Sequence, residues 1–348
     1  MRVLVTGANG HLGANIVRSL LRHNHDVVPF VRRSSDLRGL QGLNLDYAYG
    51  DILDGPSLQA AATGCGAIIH TAAVYRYWAQ DPAEIMEPAL IGTRRVFNAA
   101  RAAGVDRLVY TSTVWSVGLT EDPHTPLTAA DWNDDAQNPY ALAKTRAEKM
   151  AWQLAHEMSI PMIAICPNGV IGPYDYRLTP SMRTFRDLLN GTQFTTNAGF
   201  ALADVRDVAE IHALAVAGGQ PGQRYIVSGP NLTLRELGQI IGSLTGTSPP
   251  HLPVGRALAI IYGALHEVVA KVTGSDPPLT RATARESIGR YMFTDCQDTW
   301  QTFQYQPRTA EEMVSDAIRW LLFMGEVKAG RAAALSERFP PDPNWRWR

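Results

Sequence analysis

Thr6-Gly7-Ala8-Asn9-Gly10-His11-Leu12-Gly13 stands directly behind an apolar run, Arg2-Val3-Leu4-Val5, and directly ahead of a helical pattern, Ala14–Arg22. Strand, glycine turn and helix in that order make a phosphate-binding unit. Gly7 permits the tight turn, Gly10 lets backbone approach a pyrophosphate, and Gly13 lets the helix pack close to the strand. The helix start, with Asn9, His11 and Leu12, offers N–H groups free of intrahelical partners and the positive end of the helix dipole. Three glycines at this spacing are weak evidence alone. The strand–turn–helix context makes them a dinucleotide fingerprint rather than a ligand-free turn.

Working outward, strands and helices alternate. Asp26–Val31, Ala67–His70, Arg107–Thr111 and Met162–Cys166 read as strands; Ile85–Ala103, stopped by Gly104, and Tyr140–Met158 read as helices. Strands separated by helices imply right-handed crossovers. The expected class is therefore α/β: a Rossmann doubly wound parallel sheet with a smaller, mostly helical C-terminal substrate-binding region. Residues 1–170, completed by segments around 204–228, form the expected dinucleotide-binding domain. Residues 171–203 and 229–330 form the expected substrate region, and 331–348 a tail.

In that later part Asp207–Ala217 reads as a helix and Arg224–Val227 as a strand, and Thr233 with Glu236 makes a capping box opening the helix Leu234–Leu244. Val254–Val272 is the most apolar stretch, interrupted by Arg256, His266, Glu267 and Lys271. It reads as a core-facing helix, with a membrane-surface helix as the alternative. The end, Phe339 to Arg348, has no periodicity and reads either as disordered or as an arm docking on a partner.

The 348 residues carry a formal charge of -1, so neither a nucleic-acid partner nor a solvating acidic tail is expected. Cys65, Cys166 and Cys296 lack metal-ligand spacing; no disulfide framework or metal site is expected, and a reducing cytoplasm is the simpler setting. The chain runs straight into its first strand, so no signal peptide is expected. Membrane contact is not expected either.

The second strand decides which dinucleotide. Val28-Pro29-Phe30-Val31-Arg32-Arg33-Ser34 puts Val31 where NAD-binding chains carry an acid for the ribose hydroxyls, and arginines follow. Arg32 suits a 2′-phosphate, which favours NADP(H) over NAD(H). It could instead lie on the adenine, or Arg32 and Arg33 could be solvated loop charges. In Gly50-Asp51-Ile52, Asp51 is placed to accept from an adenine amino group and Ile52 to pack on the ring; alone, Asp51 is an ordinary turn residue.

Tyr140-Ala141-Leu142-Ala143-Lys144 sets a phenol and an amine four residues apart on one helix face. A nearby ammonium stabilises the phenolate and makes the tyrosine a usable proton shuttle. Upstream, Val109-Tyr110-Thr111-Ser112-Thr113 is a strand ending in hydroxyls, where α/β sheets place their ligands.

These segments together resemble the extended short-chain dehydrogenase/reductase superfamily. Asn138-Pro139 before Tyr140, Pro167-Asn168-Gly169-Val170-Ile171-Gly172-Pro173 and Asp204-Val205-Arg206-Asp207-Val208-Ala209 add to the match, which covers roughly residues 1–325. Within that superfamily the chain is most similar to the dihydroflavonol-reductase-like and 3β-hydroxysteroid-dehydrogenase-like branch of the NAD-dependent epimerase/dehydratase fold family. The resemblance implies that Tyr140 is the general acid/base and that Lys144 holds the nicotinamide ribose and tunes the tyrosine. It implies that Thr113 polarises the carbonyl, with Ser112 as understudy. Pro167 and Val170 match the loop beside the nicotinamide. His70-Thr71-Ala72-Ala73 matches the strand end along the pyrophosphate and ribose, although His70 alone reads as a core histidine. Tyr174-Asp175-Tyr176-Arg177 departs from any substrate signature.

The implied activity is NADPH-dependent reduction of a ketone or aldehyde. Tyr77, Trp78, Trp115, Trp132, Tyr174 and Tyr176 near the sheet's carboxyl edge favour an apolar or aromatic small molecule. A nucleotide-sugar epimerase or dehydratase with tightly bound NAD is the alternative. It would need cations for a second diphosphate, which Arg177, Arg183 and Arg186 could supply. A non-catalytic NADP(H)-binding regulator is the alternative of another class; such proteins usually lack the Tyr/Lys pair. Superfamily members commonly form homodimers through the helix carrying Tyr140 and the one before it. Ile85, Met86, Leu90, Val96 and Phe97 could serve that bundle or face the sheet.

Overall fold

The computed structural model describes residues 1–345. Its first half is built from β1 (Arg2–Thr6), α1 (His11–Arg22), β2 (Asp26–Val31), β3 (Ala48–Tyr49), α2 (Gly55–Ala62), β4 (Ala67–His70), α3 (Ala83–Ala103), β5 (Arg107–Thr111), α4 (Pro139–Met158) and β6 (Met162–Pro167). Next come β7 (Gly169–Ile171), α5 (Pro180–Leu189), β8 (Phe194–Thr195), β9 (Gly199–Asp204), α6 (Val205–Leu214) and β10 (Arg224–Val227). Last are β11 (Asn231–Thr233), α7 (Leu234–Thr245), β12 (Leu252–Pro253), α8 (Arg256–Thr273), α9 (Arg281–Ser287), β13 (Tyr291–Met292), α10 (Gln297–Phe303), α11 (Ala310–Phe323) and α12 (Ala329–Leu335).

Seven strands form one parallel sheet in the order β10-β6-β5-β4-β1-β2-β3. The order reverses between β1 and β4, and that switch point is where a doubly wound sheet opens a crevice at its strand carboxyl ends. Being covered on both faces, the strands are apolar throughout rather than alternating: Val3, Leu4, Val5, Ile68, Ile69, Leu108 and Val109 are all buried. Helices α1 and α6 pack together on one face, and α2, α3 and α4 cover the other.

A smaller lobe gathers α5, α7, α11 and α12 around Trp320, Phe185 and Leu237. Two small sheets accompany it, β11-β9-β13 with β7 beside β9, and β12-β8. The capping box at α7 is formed as expected: Thr233 Oγ1 accepts from Glu236 N at 3.2 Å while the carboxylate accepts from Thr233 N at 2.8 Å. Gly104 closes α3 with φ 64°, a left-handed stop.

One expectation changes and two open alternatives narrow. Helix α8 does not face the core: Ala259, Gly263, Glu267 and Ala270 are its buried residues, while its large apolar side chains are exposed. Its apolar period is helical, but the lobe meets it with the small-residue side. The chain end, as far as it is described, packs on the chain's own lobe. Phe339 is buried and Trp345 packs edge-on to Trp320 at 5.1 Å; the last three residues lie outside the described part. Of the helix residues offered for a dimer bundle, Ile85, Val96 and Phe97 are buried in the chain's own core. Among the described residues no helix is long and apolar enough to cross a membrane.

Candidate active site

The glycine turn behaves as its chemistry demands. Gly7 has φ 72°, and a Cβ there would meet the Ala72 backbone at 2.8 Å. A Cβ on Gly13 would lie 2.1 Å from Gly7 O, which is why α1 can seat so close to β1. Gly10 differs: its Cβ would meet only Gly7 O, at 3.3 Å, because the residue faces the open cleft. It begins α1 with no side-chain cap and no acid in the first turn, leaving the helix start to an anion.

Two adjoining clefts, of about 530 and 300 Å³, share Gly7, Asn9, Gly10, Arg32, Thr71 and Lys144. The smaller is walled by Phe30, Asp51, Ile52 and Ala72; Asp51 there accepts from Leu53 N at 2.9 Å, as a turn residue does. The larger reaches Thr113, Tyr140, Pro167 and Val170. The residues put forward from sequence thus converge on one crevice, with His11, Leu12, Gly13, Ala73 and Ser112 also on its walls. Buried polar atoms left without a partner at its rim, Nε2 of His11 and Oδ1 of Asp175, together with the uncapped helix, fit a polar ligand laid across α1.

At the chemical end, Tyr140 and Lys144 project from the first turns of α4, which Asn138 caps by accepting from Ala141 N at 2.8 Å. Both are almost fully buried. Burial raises the Tyr140 phenol well above its usual range, the neighbouring Tyr75 adds to this, and the Thr113 hydroxyl opposes it. Burial lowers the Lys144 ammonium to about 8, against a smaller opposing pull from Glu148. Lys144 Nζ donates to Thr111 O at 2.7 Å. Tyr75 and Tyr77 lie against the Tyr140 ring, with centroids 5.1 and 5.4 Å away, and Trp115 donates from Nε1 to Tyr77 Oη at 3.2 Å.

The strand-end hydroxyls have different neighbours. Thr113 opens a short 3₁₀ turn, Val114–Ser116, accepting from Trp115 N at 3.4 Å. Ser112 donates to Glu148 and meets Ser116 Oγ at 2.9 Å. Glu148 is fully buried and paired with Arg224 Nε at 2.8 Å, so Ser112 is committed to that network. His70 shares a 2.7 Å hydrogen bond with Thr6 Oγ1, and burial lowers its pKa to about 3, leaving a neutral core histidine.

The model of the NAD dependent epimerase/dehydratase family matches residues 3–228, which span the sheet and both clefts. The chain belongs to that family. A provisionally named dihydroflavonol 4-reductase of Synechocystis is 31% identical over 336 residues, covering 93% of this chain and 95% of its own. Cinnamoyl-CoA reductase 1 of Arabidopsis thaliana is 31% identical over 265 residues, covering 72% and 75%. The crystal structure of gox2253 superposes with a TM-score of 0.81 at 33% identity, covering 94% of this chain and 99% of the other. The family is one of NAD(P)-dependent oxidoreductase-type enzymes within the extended short-chain dehydrogenase/reductase superfamily, and this chain is one of them.

Several residues of the site carried no readable signal. Glu148 lies four residues after Lys144 and so continues its helix face, a hint available in principle; Arg224, which neutralises it, comes from a strand 76 residues away. Tyr75 stands over Tyr140 by virtue of an irregular segment. Of the aromatics put forward, Tyr77 and Trp115 join Tyr140. Trp132 instead lies under Arg224, 3.9 Å from ring centroid to guanidinium, while Tyr174 and Tyr176 line the larger cleft and pack on Trp320 behind it.

Proposed function

We propose that the chain is an NADP(H)-dependent reductase of ketones or aldehydes of apolar or aromatic small molecules, with Tyr140 as proton donor. A nicotinamide dinucleotide in the cleft supplies the hydride. The N-terminus of α1 with Gly10 receives the pyrophosphate, Asp51 and Ile52 flank the adenine, and Lys144 binds the nicotinamide ribose. Pro167 and Val170 wall the nicotinamide side. Tyr140 hands its proton to the developing alkoxide, and Thr113 orients the same oxygen. The raised phenol keeps Tyr140 protonated at neutral pH, which suits an acid in the direction of reduction.

The observation that carries the reading is the distribution of arginines. Arg32 and Arg177 line both clefts and neither forms an ion pair among the described residues, which leaves two guanidiniums for a 2′-phosphate. At the substrate end the cations are already answered. Arg76 pairs with Asp276 at 2.9 Å, Arg183 approaches the same carboxylate at 4.0 Å, and Arg186 pairs with Asp187 and Glu326. A second diphosphate would have to displace Asp276 from the wall, whereas Tyr75, Tyr77 and Trp115 offer an apolar surface beside Tyr140.

The test is NADPH and NADH consumption with aromatic and aliphatic ketones and aldehydes, in the wild type and Tyr140→Phe. Turnover preferring NADPH, lost by about 10²–10⁴-fold in the variant, is expected. Purified protein that retains NAD and consumes neither cofactor with any carbonyl would overturn the reading in favour of an epimerase.

A further inference from the structure

Helix α8 presents its large side chains to solvent. Leu258, Ile261, Tyr262, Leu265, Val268 and Val272 recur every three or four residues and so share one face, and they are between 46% and 84% exposed. The opposite face is made of small residues that let the helix lie flat on its support: a Cβ on Gly263 would meet the Thr280 backbone at 2.8 Å. Most surface helices bury the large apolar stripe and expose the polar one. Here the stripe is left over after the lobe has folded, and a contiguous apolar patch of this kind marks an interaction surface.

The charges around it are of one sign. From Thr247 to Gly289 every exposed charged residue is a cation, Arg256, Lys271, Arg281 and Arg285; Arg281 is paired with Glu267 and Arg256 donates to Ile288 O at 2.9 Å, which leaves the side chains of Lys271 and Arg285 without a partner among the described residues. The carboxylates of that stretch are held by the protein. Glu267 accepts from Arg281, Asp276 from Arg76, and Glu286 from Asn138 at 2.6 Å.

The position is also defined. Lys271 O, at the C-terminal end of α8, accepts from Gln80 Nε2 at 3.4 Å, and Asp276 just beyond it lines the larger cleft and holds Arg76, next to Tyr75. The apolar face thus ends at the rim of the crevice that contains Tyr140.

We propose that α8 docks this face on an anionic lipid bilayer, lying in the plane of the interface with its cations toward the headgroups. Such helices are held by buried apolar area plus attraction to acidic lipid. The charges separate this occupant from a second copy of the chain. A second copy would bring the same cations to the contact, with no exposed carboxylate between Thr247 and Gly289 to answer them. An acidic bilayer supplies the missing negative charge. Docked there, the enzyme opens its crevice toward membrane-dissolved molecules. The docking itself rests only on α8, so it stands or falls apart from the reductase reading.

The experiment is flotation of the full chain with vesicles of equal parts phosphatidylglycerol and phosphatidylcholine, and with phosphatidylcholine alone, alongside sedimentation analysis without lipid. The wild type is expected to float with the acidic vesicles. Leu265→Gln with Val268→Gln should weaken binding about tenfold or more, and Lys271→Gln about fivefold, with the latter contribution lost at high salt. These side chains are exposed, so melting temperature and dinucleotide binding should be unchanged. Failure of the wild type to bind acidic vesicles would overturn the proposal. So would binding indifferent to the double substitution, or a dimer that the double substitution dissociates in a protein that ignores vesicles.

Discussion

The ammonium of Lys144 donates to the backbone carbonyl of Thr111 at 2.7 Å, joining the start of α4 to the carboxyl end of β5. That bond holds a buried cation one helical turn from Tyr140 and fixes the geometry between the phenol and the hydroxyl-bearing strand end. Burial, which lowers its pKa to about 8, makes Lys144 a titrating group within reach of ordinary assay conditions.

With the lysine lowered to about 8, its charge is present at neutral pH and lost as the pH rises through that value. The kcat/KM for carbonyl reduction should therefore fall above about pH 8, because the positive charge beside Tyr140 disappears while the phenol stays protonated. In Lys144→Arg the guanidinium does not titrate, and the remaining activity should lose this break. A break at the same pH in the variant would assign it to another group.

Arg32→Ala and Arg177→Ala should each weaken NADPH binding by about tenfold or more, the scale of a lost charge-assisted hydrogen bond, and leave NADH binding nearly unchanged. Fluorescence titration with both cofactors reads this directly. Equal losses for the two cofactors would place these arginines on the shared pyrophosphate instead.

Two glycines of one turn should fail differently. Gly13→Ala forces a methyl into the backbone of Gly7 and should cost about 3 kcal/mol or more, or prevent folding. Gly10→Ala has only one neighbour at 3.3 Å, so its denaturation midpoint should stay near the wild type while dinucleotide affinity falls. Comparable destabilisation by both would contradict the assignment of Gly10 to the ligand.

Acid should unfold the protein partly through its buried histidines. Burial lowers His70 to about 3 and His212 to about 4; His212 donates from Nδ1 to Val208 O and accepts at Nε2 from the Thr111 hydroxyl. Between those values and the ordinary 6.5 the unfolded chain binds protons that the folded chain does not. Stability therefore falls as the pH drops through that window. Urea midpoints measured against pH should show it, and replacing both histidines with asparagine should flatten the slope.

The sheet was legible because its signals are local. β1, the Gly7–Gly13 turn, the Arg224–Val227 strand and the Thr233/Glu236 box depend on near neighbours and lie where patterning puts them. The start of α1 was read three residues late, since the glycine turn runs into the helix: Gly10 is its N-cap and Gly13 lies in its first turn. Helix α8 was misread for a different reason. Periodicity shows that a face is apolar, but which face meets the core depends on the lobe it rests on. The network around Glu148 joins three segments distant in sequence, and Tyr75 reaches Tyr140 from a loop, so neither could be read from spacing.

The most direct test of the central claim uses NADPH carrying deuterium at the reacting carbon of its nicotinamide, with an aromatic ketone as partner. The account predicts deuterium on the carbinol carbon of the alcohol product, NADP⁺ formed in equal amount, and loss of both in Tyr140→Phe. Deuterium that stays in the cofactor while a nucleotide sugar is epimerised or dehydrated would contradict it.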